Sequence, residues 1–328
     1  MQIHEIVALI DKLEAKLVVL LCHHNADPDA IYAAFAFSQL LGRLRPELEI
    51  EIAAAHGPSR LAKSMLKSLP VKLAAQPRIE KADLIVLLDT NTIQQLDEWA
   101  ERVKESDSSI IVIDHHASHP ETERLATMYV TNEEASSTCE IVYQLFKDAE
   151  VELTEVEAKA LFLGIAFDTR HFVIANSNTL KTVADLIEAG VDARETLPLL
   201  SLPMEYSERM ARLKAGCRVK LLKINNWLIA FSHVSAYQAS SARALVGLGA
   251  HVAIVAGQRG GRLQVSLRSA REVYQKTGIH LGRDIAKPLG EYLNGMGGGH
   301  SVSAGANGVG NIVNCLKYCV SLVKERLK

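Results

Sequence analysis

"SIIVIDHH" at residues 109–116 sets four β-branched apolar residues, Ile110 to Ile113, directly before Asp114, His115 and His116. A run so short and so continuous fits a strand buried on both faces. Titratable side chains at the tip of such a strand are costly unless something binds them. The chain continues as "ASHP" and adds a third imidazole, His119. Working outward, "LVVLLCHH" (17–24), "LEIEIAAA" (48–55) and "DLIVLLDT" (83–90) read as further strands. "FAFSQLLGRL" (35–44) and "IQQLDEWAERVK" (93–104) carry helical spacing between them. Apolar runs separated by helices predict a parallel sheet covered on both faces. Ligands of open parallel sheets bind beyond the carboxyl ends of the strands. His23, Asp89 and the Asp114-His115-His116 triplet are therefore expected to converge on one edge.

Helices are expected at about 136–148, 154–168 and 178–189, followed by a connection over 192–216 with two prolines and a charged helical run. From residue 217 the pattern changes. "CRVKLLKINNWLIAFSHV" (217–234) reads as a hairpin turning at Asn225-Asn226. A helix near 236–248, strands at 251–258 and 261–269, and a closing helix near 309–327 complete it. The expected fold class is α/β: an N-terminal parallel-sheet domain over 1–191, a linker over 192–216, and a smaller mixed-sheet α/β domain over 217–328.

At 328 residues the chain exceeds one ordinary core, which agrees with two domains. The composition, 48% hydrophobic and 23% charged, is that of a globular protein. No apolar run is long enough to span a bilayer, and "MQIHEIVALIDKLEAK" has the pattern of an amphipathic helix rather than a signal peptide, so a cytoplasmic location without membrane contact is expected. Five scattered cysteines make no disulfide framework, and Cys315 and Cys319, one helical turn apart, read as core thiols. The net charge of -2 hides an asymmetry. Residues 1–216 hold 21 Lys and Arg against 34 Asp and Glu, whereas 217–328 hold 15 against 4. An acidic first part suits cations and a basic second part an anionic ligand, although solvated surface charge accounts for some of each.

"HHNADPDA" (23–30) places His23, Asp27 and Asp29 in a loop between a strand and a helix. An imidazole followed by two carboxylates can wrap a divalent cation, while either aspartate also suits a helix cap. Asp89 after "LIVLL" equally fits a turn. "LGIAFDTRHF" (163–172) adds Asp168. With "DHH" these make at least four carboxylates and two histidines near one edge. Their repulsion and desolvation call for a compensating metal pair. Oxygen and nitrogen donors without cysteine favour manganese or a similar ion over structural zinc or calcium. Two metals roughly 3.5 to 4 Å apart can activate a water and stabilise a leaving oxygen in phosphoester hydrolysis.

The ordered set "HHNADPD", "LIVLLD", "VIDHH" and "GIAFDT", followed by "VSLRS" and "GMGGGHSVSAG", resembles the DHH phosphoesterases with a C-terminal DHHA1 domain, over nearly the whole chain. In size and layout it is most similar to the nanoRNase and phosphoadenosine-phosphate phosphatase branch, related to the larger RecJ exonucleases. The resemblance implies that His23, Asp27 and Asp89 hold one manganese while Asp29, Asp89, His115 and Asp168 hold the second, with Mg2+ or Co2+ as substitutes. His116 is implied as a catalytic group at the scissile phosphate and Asp114 as the group that orients the histidines. Arg268, Ser269, Gly297, Gly298, Gly299 and His300 are implied to bind substrate, although a glycine cluster also suits a turn and Arg268 an exposed strand position.

The implied function is manganese-dependent hydrolysis of short oligonucleotides, of the nanoRNase or exonuclease type, and of 3'-phosphoadenosine 5'-phosphate. The alternatives are a cyclic or linear dinucleotide phosphodiesterase, a RecJ-like single-strand exonuclease and a non-catalytic nucleic-acid-binding module. "VSLRS" with "GGGH" weighs against a pyrophosphatase. Expected partners are short RNA or DNA oligonucleotides or nucleotides, with a homodimer as the candidate assembly.

Overall fold

The computed structural model describes residues 2–327. The chain divides into two units, Met1–Leu202 and Pro203–Lys328. The division falls inside 192–216. Thr196 and Leu200 are buried in the first unit, and Ala211 and Ala215 in the second.

In the first unit, α1 (Gln2–Lys12) leads into β1 (Leu17–Cys22), α2 (Pro28–Leu44), β2 (Glu49–Ala54) and α3 (Arg60–Met65). Then come β3 (Leu84–Leu88), a 3-10 segment (Ile93–Trp99), α4 (Ala100–Lys104), β4 (Ser109–Asp114), α5 (Pro120–Leu125) and β5 (Met128–Thr131). Four helices close the unit: α6 (Thr138–Asp148), α7 (Glu155–Asp168), α8 (Ser177–Glu188) and α9 (Ala193–Thr196). The sheet has the order β2-β1-β3-β4-β5, and every pairing is parallel.

The continuous apolar runs are explained by this burial. Val18, Leu20 and Cys22 of β1 face one core with α1, α2 and α7, whereas Leu17, Val19 and Leu21 face a second core with Ile93, Leu96 and Trp99. Removing apolar surface from both faces gives each such side chain about 1.5–3 kcal/mol. The helix expected over 93–104 is interrupted at Asp97, whose backbone is left-handed at φ 46°. Its carboxylate lies 3.3 Å from His56 Nε2 and 3.6 Å from His24 Nδ1, so the break turns a charge toward two imidazoles.

The second unit contains α10 (Tyr206–Cys217), β6 (Lys220–Ile224), β7 (Trp227–His233), α11 (Gln238–Gly247), β8 (Val252–Arg259) and β9 (Arg262–Ser269). It continues with α12 (Arg271–Thr277), a π-helical turn (Leu281–Ala286), α13 (Lys287–Tyr292), β10 (Met296–Gly299), β11 (Ser303–Val309) and α14 (Ile312–Leu327). Its sheet has the order β10-β11-β9-β8-β7-β6, with β7 and β8 parallel and the other pairs antiparallel. Cys315 and Cys319 are buried in its core. Among the described residues no helix is long and apolar enough to cross a membrane.

Candidate metal centre

The strand order reverses between β1 and β3, and the crevice beyond the carboxyl ends at such a reversal is where open α/β sheets bind ligands. His23 follows β1, Asp89 follows β3 and Asp114 ends β4. Asp89 is itself left-handed, at φ 53°, a conformation aspartate tolerates better than most residues and one that turns the chain out of the strand. Asp29 comes from the first turn of α2 and Asp168 from the last residue of α7.

Asp89 lies at the middle of the cluster. Its Oδ2 is 3.7 Å from His23 Nε2, which is also 3.9 Å from Asp27 Oδ2. Its Oδ1 is 3.6 Å from His115 Nε2, which is 3.2 Å from Asp168 Oδ2. The ligand atoms of His23, Asp27 and Asp89 fall within 4.8 Å of one another, and so do those of Asp29, His115 and Asp168. Asp27 serves both readings of the sequence. Its Oδ1 accepts the amides of Asp29 and Ala30 at 3.0 and 3.2 Å, capping α2, while Oδ2 turns to His23.

Asp114 Oδ1 accepts both the backbone amide and the Nδ1 side of His116 at 2.8 Å, so it fixes that ring, which is 54% exposed and 3.5 Å from Asp89. His119, the third imidazole of the stretch, stands apart and caps α5 by accepting the amide of Glu121.

Sequence reasoning passed over Thr138 and Gly164. The Thr138 hydroxyl donates to Asp89 Oδ1 at 3.1 Å. The amides of Thr138 and Cys139 donate to the two oxygens of Asp29 at 2.7 and 3.0 Å. The start of α6 thus holds a buried carboxylate with donors that a helix N-terminus leaves free. The signal was the "SST" run at 136–138 heading a predicted helix. At Gly164 of α7, a Cβ would overlap the Cys139 thiol and approach Asp29 Oδ1 to 2.8 Å, so a methyl here would have to displace both side chains.

The electrostatics follow from burial. Asp29 and Asp89 are almost wholly withdrawn from water. Desolvation raises both carboxyls well above the usual range, reinforced at Asp29 by Asp168 and at Asp89 by Asp29. Asp27 is raised by burial and by Asp168. His116 is raised chiefly by its hydrogen bond to Asp114. At His115 burial opposes protonation, but Asp168 and Asp89 outweigh it and the pKa rises. A cation placed among these groups would supply the positive charge that protons otherwise provide.

The donors fit a divalent ion. Among the described residues, His115 Nε2 is buried with Asp168 Oδ2 3.2 Å away but with no well-formed hydrogen bond, and Asp114 Oδ2 is buried without a hydrogen-bond partner. Burial pushes the nearby Cys22 and Cys139 thiols well up, so they stay protonated and the set remains oxygen and nitrogen.

In the second unit, Arg268 pairs across the strands with Ser303. Its pKa is lowered by burial and then by Arg243 of α11, a second guanidinium that sequence spacing did not reveal. Among the described residues, Ser269 Oγ is buried without a hydrogen-bond partner. "GMGGGHSVSAG" folds as the β10–β11 hairpin, closed by the His300 amide donating to Ser303 O at 2.8 Å. The glycines differ in role. A Cβ at Gly297 would overlap the Ala286 carbonyl and one at Gly299 would crowd Ala304, whereas Gly298 faces open space.

The DHH family, N-terminal domain, matches residues 17–165. Over 299 residues the chain is 32% identical to the uncharacterized protein MJ0988 of Methanocaldococcus jannaschii, covering 91% of this chain and 89% of that one. The chain belongs to the DHH family of phosphoesterases and is a hydrolase of that class. It is 27% identical over 325 residues to the cyclic-di-AMP phosphodiesterase GdpP of Geobacillus thermodenitrificans, covering 93% of this chain and 46% of that one. It is 26% identical over 183 residues to the bifunctional oligoribonuclease and PAP phosphatase NrnA of Bacillus subtilis, covering 54% and 55%. The chain thus spans about half the length of these last two relatives, and its likeness to the NrnA branch is distant.

Proposed function

We propose that the chain is a manganese-dependent phosphoesterase that holds two ions and hydrolyses short oligonucleotides and 3'-phosphoadenosine 5'-phosphate. The observation that carries this reading is the two-sided environment of Asp89, with His23 and Asp27 near Oδ2, and His115 and Asp168 near Oδ1. His23, Asp27 and Asp89 hold one ion, and Asp29, Asp89, His115 and Asp168 the other. Bound divalent cations supply Lewis acidity and lower the pKa of a water.

The protein's own groups do the rest. Thr138 and the first amides of α6 fix Asp89 and Asp29. Asp114 engages His116 at Nδ1, which leaves Nε2 to carry a proton toward a phosphate oxygen as negative charge grows. Arg268, Ser269, the Gly297–Gly299 backbone and His300 bind the nucleotide, the guanidinium as a fork for phosphate. The names of NrnA and GdpP both describe hydrolysis of nucleotide phosphoesters, which supports a nucleotide substrate.

A substrate panel with manganese tests the reading: 5'-phosphorylated di- to decanucleotides of RNA and DNA, phosphoadenosine phosphate, cyclic dinucleotides and pyrophosphate. Efficiency is expected to peak at about two to five nucleotides, near the lower end of the site size of one small binding domain. Hydrolysis of pyrophosphate alone, or efficiency still climbing beyond ten nucleotides, overturns it.

A further inference from the structure

A cavity of about 710 Å³ opens within the second unit at the other end of β9 from Arg268. Arg259, Arg262, Gln264, Asn294, Met296 and Tyr237 line it, and its lining includes no Asp or Glu. Arg262 and Arg268 lie six residues apart on β9, so about 20 Å separates the two ends at the usual strand rise. That distance exceeds one nucleotide step, and a ligand here is not the one at Arg268.

The chemistry of the lining is specific. Arg259 and Arg262 flank the β8–β9 turn at Gly260-Gly261, and among the described residues neither has an acidic partner. Two unpaired guanidinium groups with no carboxylate among them suit phosphate oxygens. The side-chain amides of Gln264 and Asn294 make no hydrogen bond within the described residues, and such amides offer a donor and an acceptor side by side, as a nucleobase edge requires. Apolar contact is also present. Met296 is 74% exposed, and the Tyr237 ring is fixed by hydrogen bonds of its hydroxyl to Ser207 and Glu205, both at 2.9 Å. A thioether and a held aromatic ring are surfaces against which a base can lie. Gly257 contributes by absence, since a Cβ there would overlap the side chain of Gln238 at the cavity wall. The volume lies within the range of small-ligand sites.

We propose that this cavity binds a nucleoside 5'-monophosphate, with Arg259 and Arg262 on the phosphate, Gln264 and Asn294 on the base edge, and Tyr237 and Met296 along the base. All its lining residues belong to the second unit, and the proposal does not depend on the hydrolysis proposed above, so the two ideas fail by different measurements.

The test is calorimetric titration of the metal-free full chain with adenosine 5'-monophosphate and, separately, inorganic phosphate. Arg268→Ala serves as background, which disables the other end. In that background adenosine monophosphate still binds, and adding Arg259→Ala with Arg262→Ala weakens it by about tenfold or more for each guanidinium removed. An unchanged thermal midpoint of the triple variant shows that it is folded. The proposal is overturned if Arg268→Ala alone abolishes binding, or if the triple variant binds as tightly as its background. Equal affinity for inorganic phosphate and for the nucleotide overturns the base contacts.

Discussion

The two sheets use their residues differently. In the parallel sheet of the first unit the chemistry gathers at one edge, because every strand runs the same way and His23, Asp89 and Asp114 all leave at carboxyl ends. In the mixed sheet of the second unit the polar residues are spread along strands and around hairpins, with Arg268 at one end of β9 and Arg262 at the other. Parallel order turns sequence position into spatial position. Antiparallel order does not, because adjacent strands carry their termini to opposite ends.

The largest expected effect of breaking this contrast is at Asp89. Asp89→Asn keeps the shape but removes the charge between the two proposed ligand sets, and turnover with manganese should fall by about a thousandfold or more, the scale of losing a major electrostatic group. Metal-free thermal stability should hold or rise, because a buried repelled carboxylate is gone.

Next come the histidine and the arginine. His116→Ala should lower kcat about a hundredfold, the lower scale of acid–base catalysis, whereas Arg268→Ala should mainly raise KM. Steady-state kinetics on a dinucleotide in which these effects trade places would show that the two units have the opposite roles.

Packing sharpens the comparison on the stability side. Gly297→Ala forces a methyl into the Ala286 carbonyl and should cost about 3 kcal/mol, while Gly298→Ala, in open space, should stay within about 0.5 kcal/mol. Denaturant midpoints distinguish them. At Gly164 the clash with Cys139 costs about 1–3 kcal/mol and the helix gains about 1 from alanine, so Gly164→Ala should destabilise by up to about 2 kcal/mol. The displaced Asp29 should weaken manganese binding in the same variant.

The smallest effect concerns pH. Burial raises Asp29 and Asp89, so in the metal-free protein they favour folding while protonated and subtract stability as pH rises from the ordinary carboxylate range, about 4, through their raised values. Metal and proton compete for these groups. The rise in thermal midpoint on adding manganese should therefore be greater at pH 8 than at pH 6, and a rise that is independent of pH would place the ion elsewhere.

What the sequence made legible follows the same division. The junctions of strands with His23, Asp89 and Asp114 could be read directly because burial on both faces leaves an unbroken apolar run that stops at the edge. β5 was missed because "MYVT" is a short edge strand, mostly half-buried, without such a run. Thr138, Gly164 and Arg243 act through neighbours distant in sequence, Asp89, Cys139 and Arg268, and no local period marks them. The glycine stretch at 295–305 was legible as special but not as a hairpin. Glycine is depleted in strands, and only close packing against Ala286 and Ala304 explains its presence there.

The central claim is that Asp89 joins two ion sites at the edge of the parallel sheet. Titrating the metal-free chain with manganese, as wild type and as Asp89→Asn, measures it directly. Two ions per wild-type chain are expected, with at most one weakly bound in the variant. A single ion in the wild type, or undiminished binding of two ions in Asp89→Asn, would contradict the account.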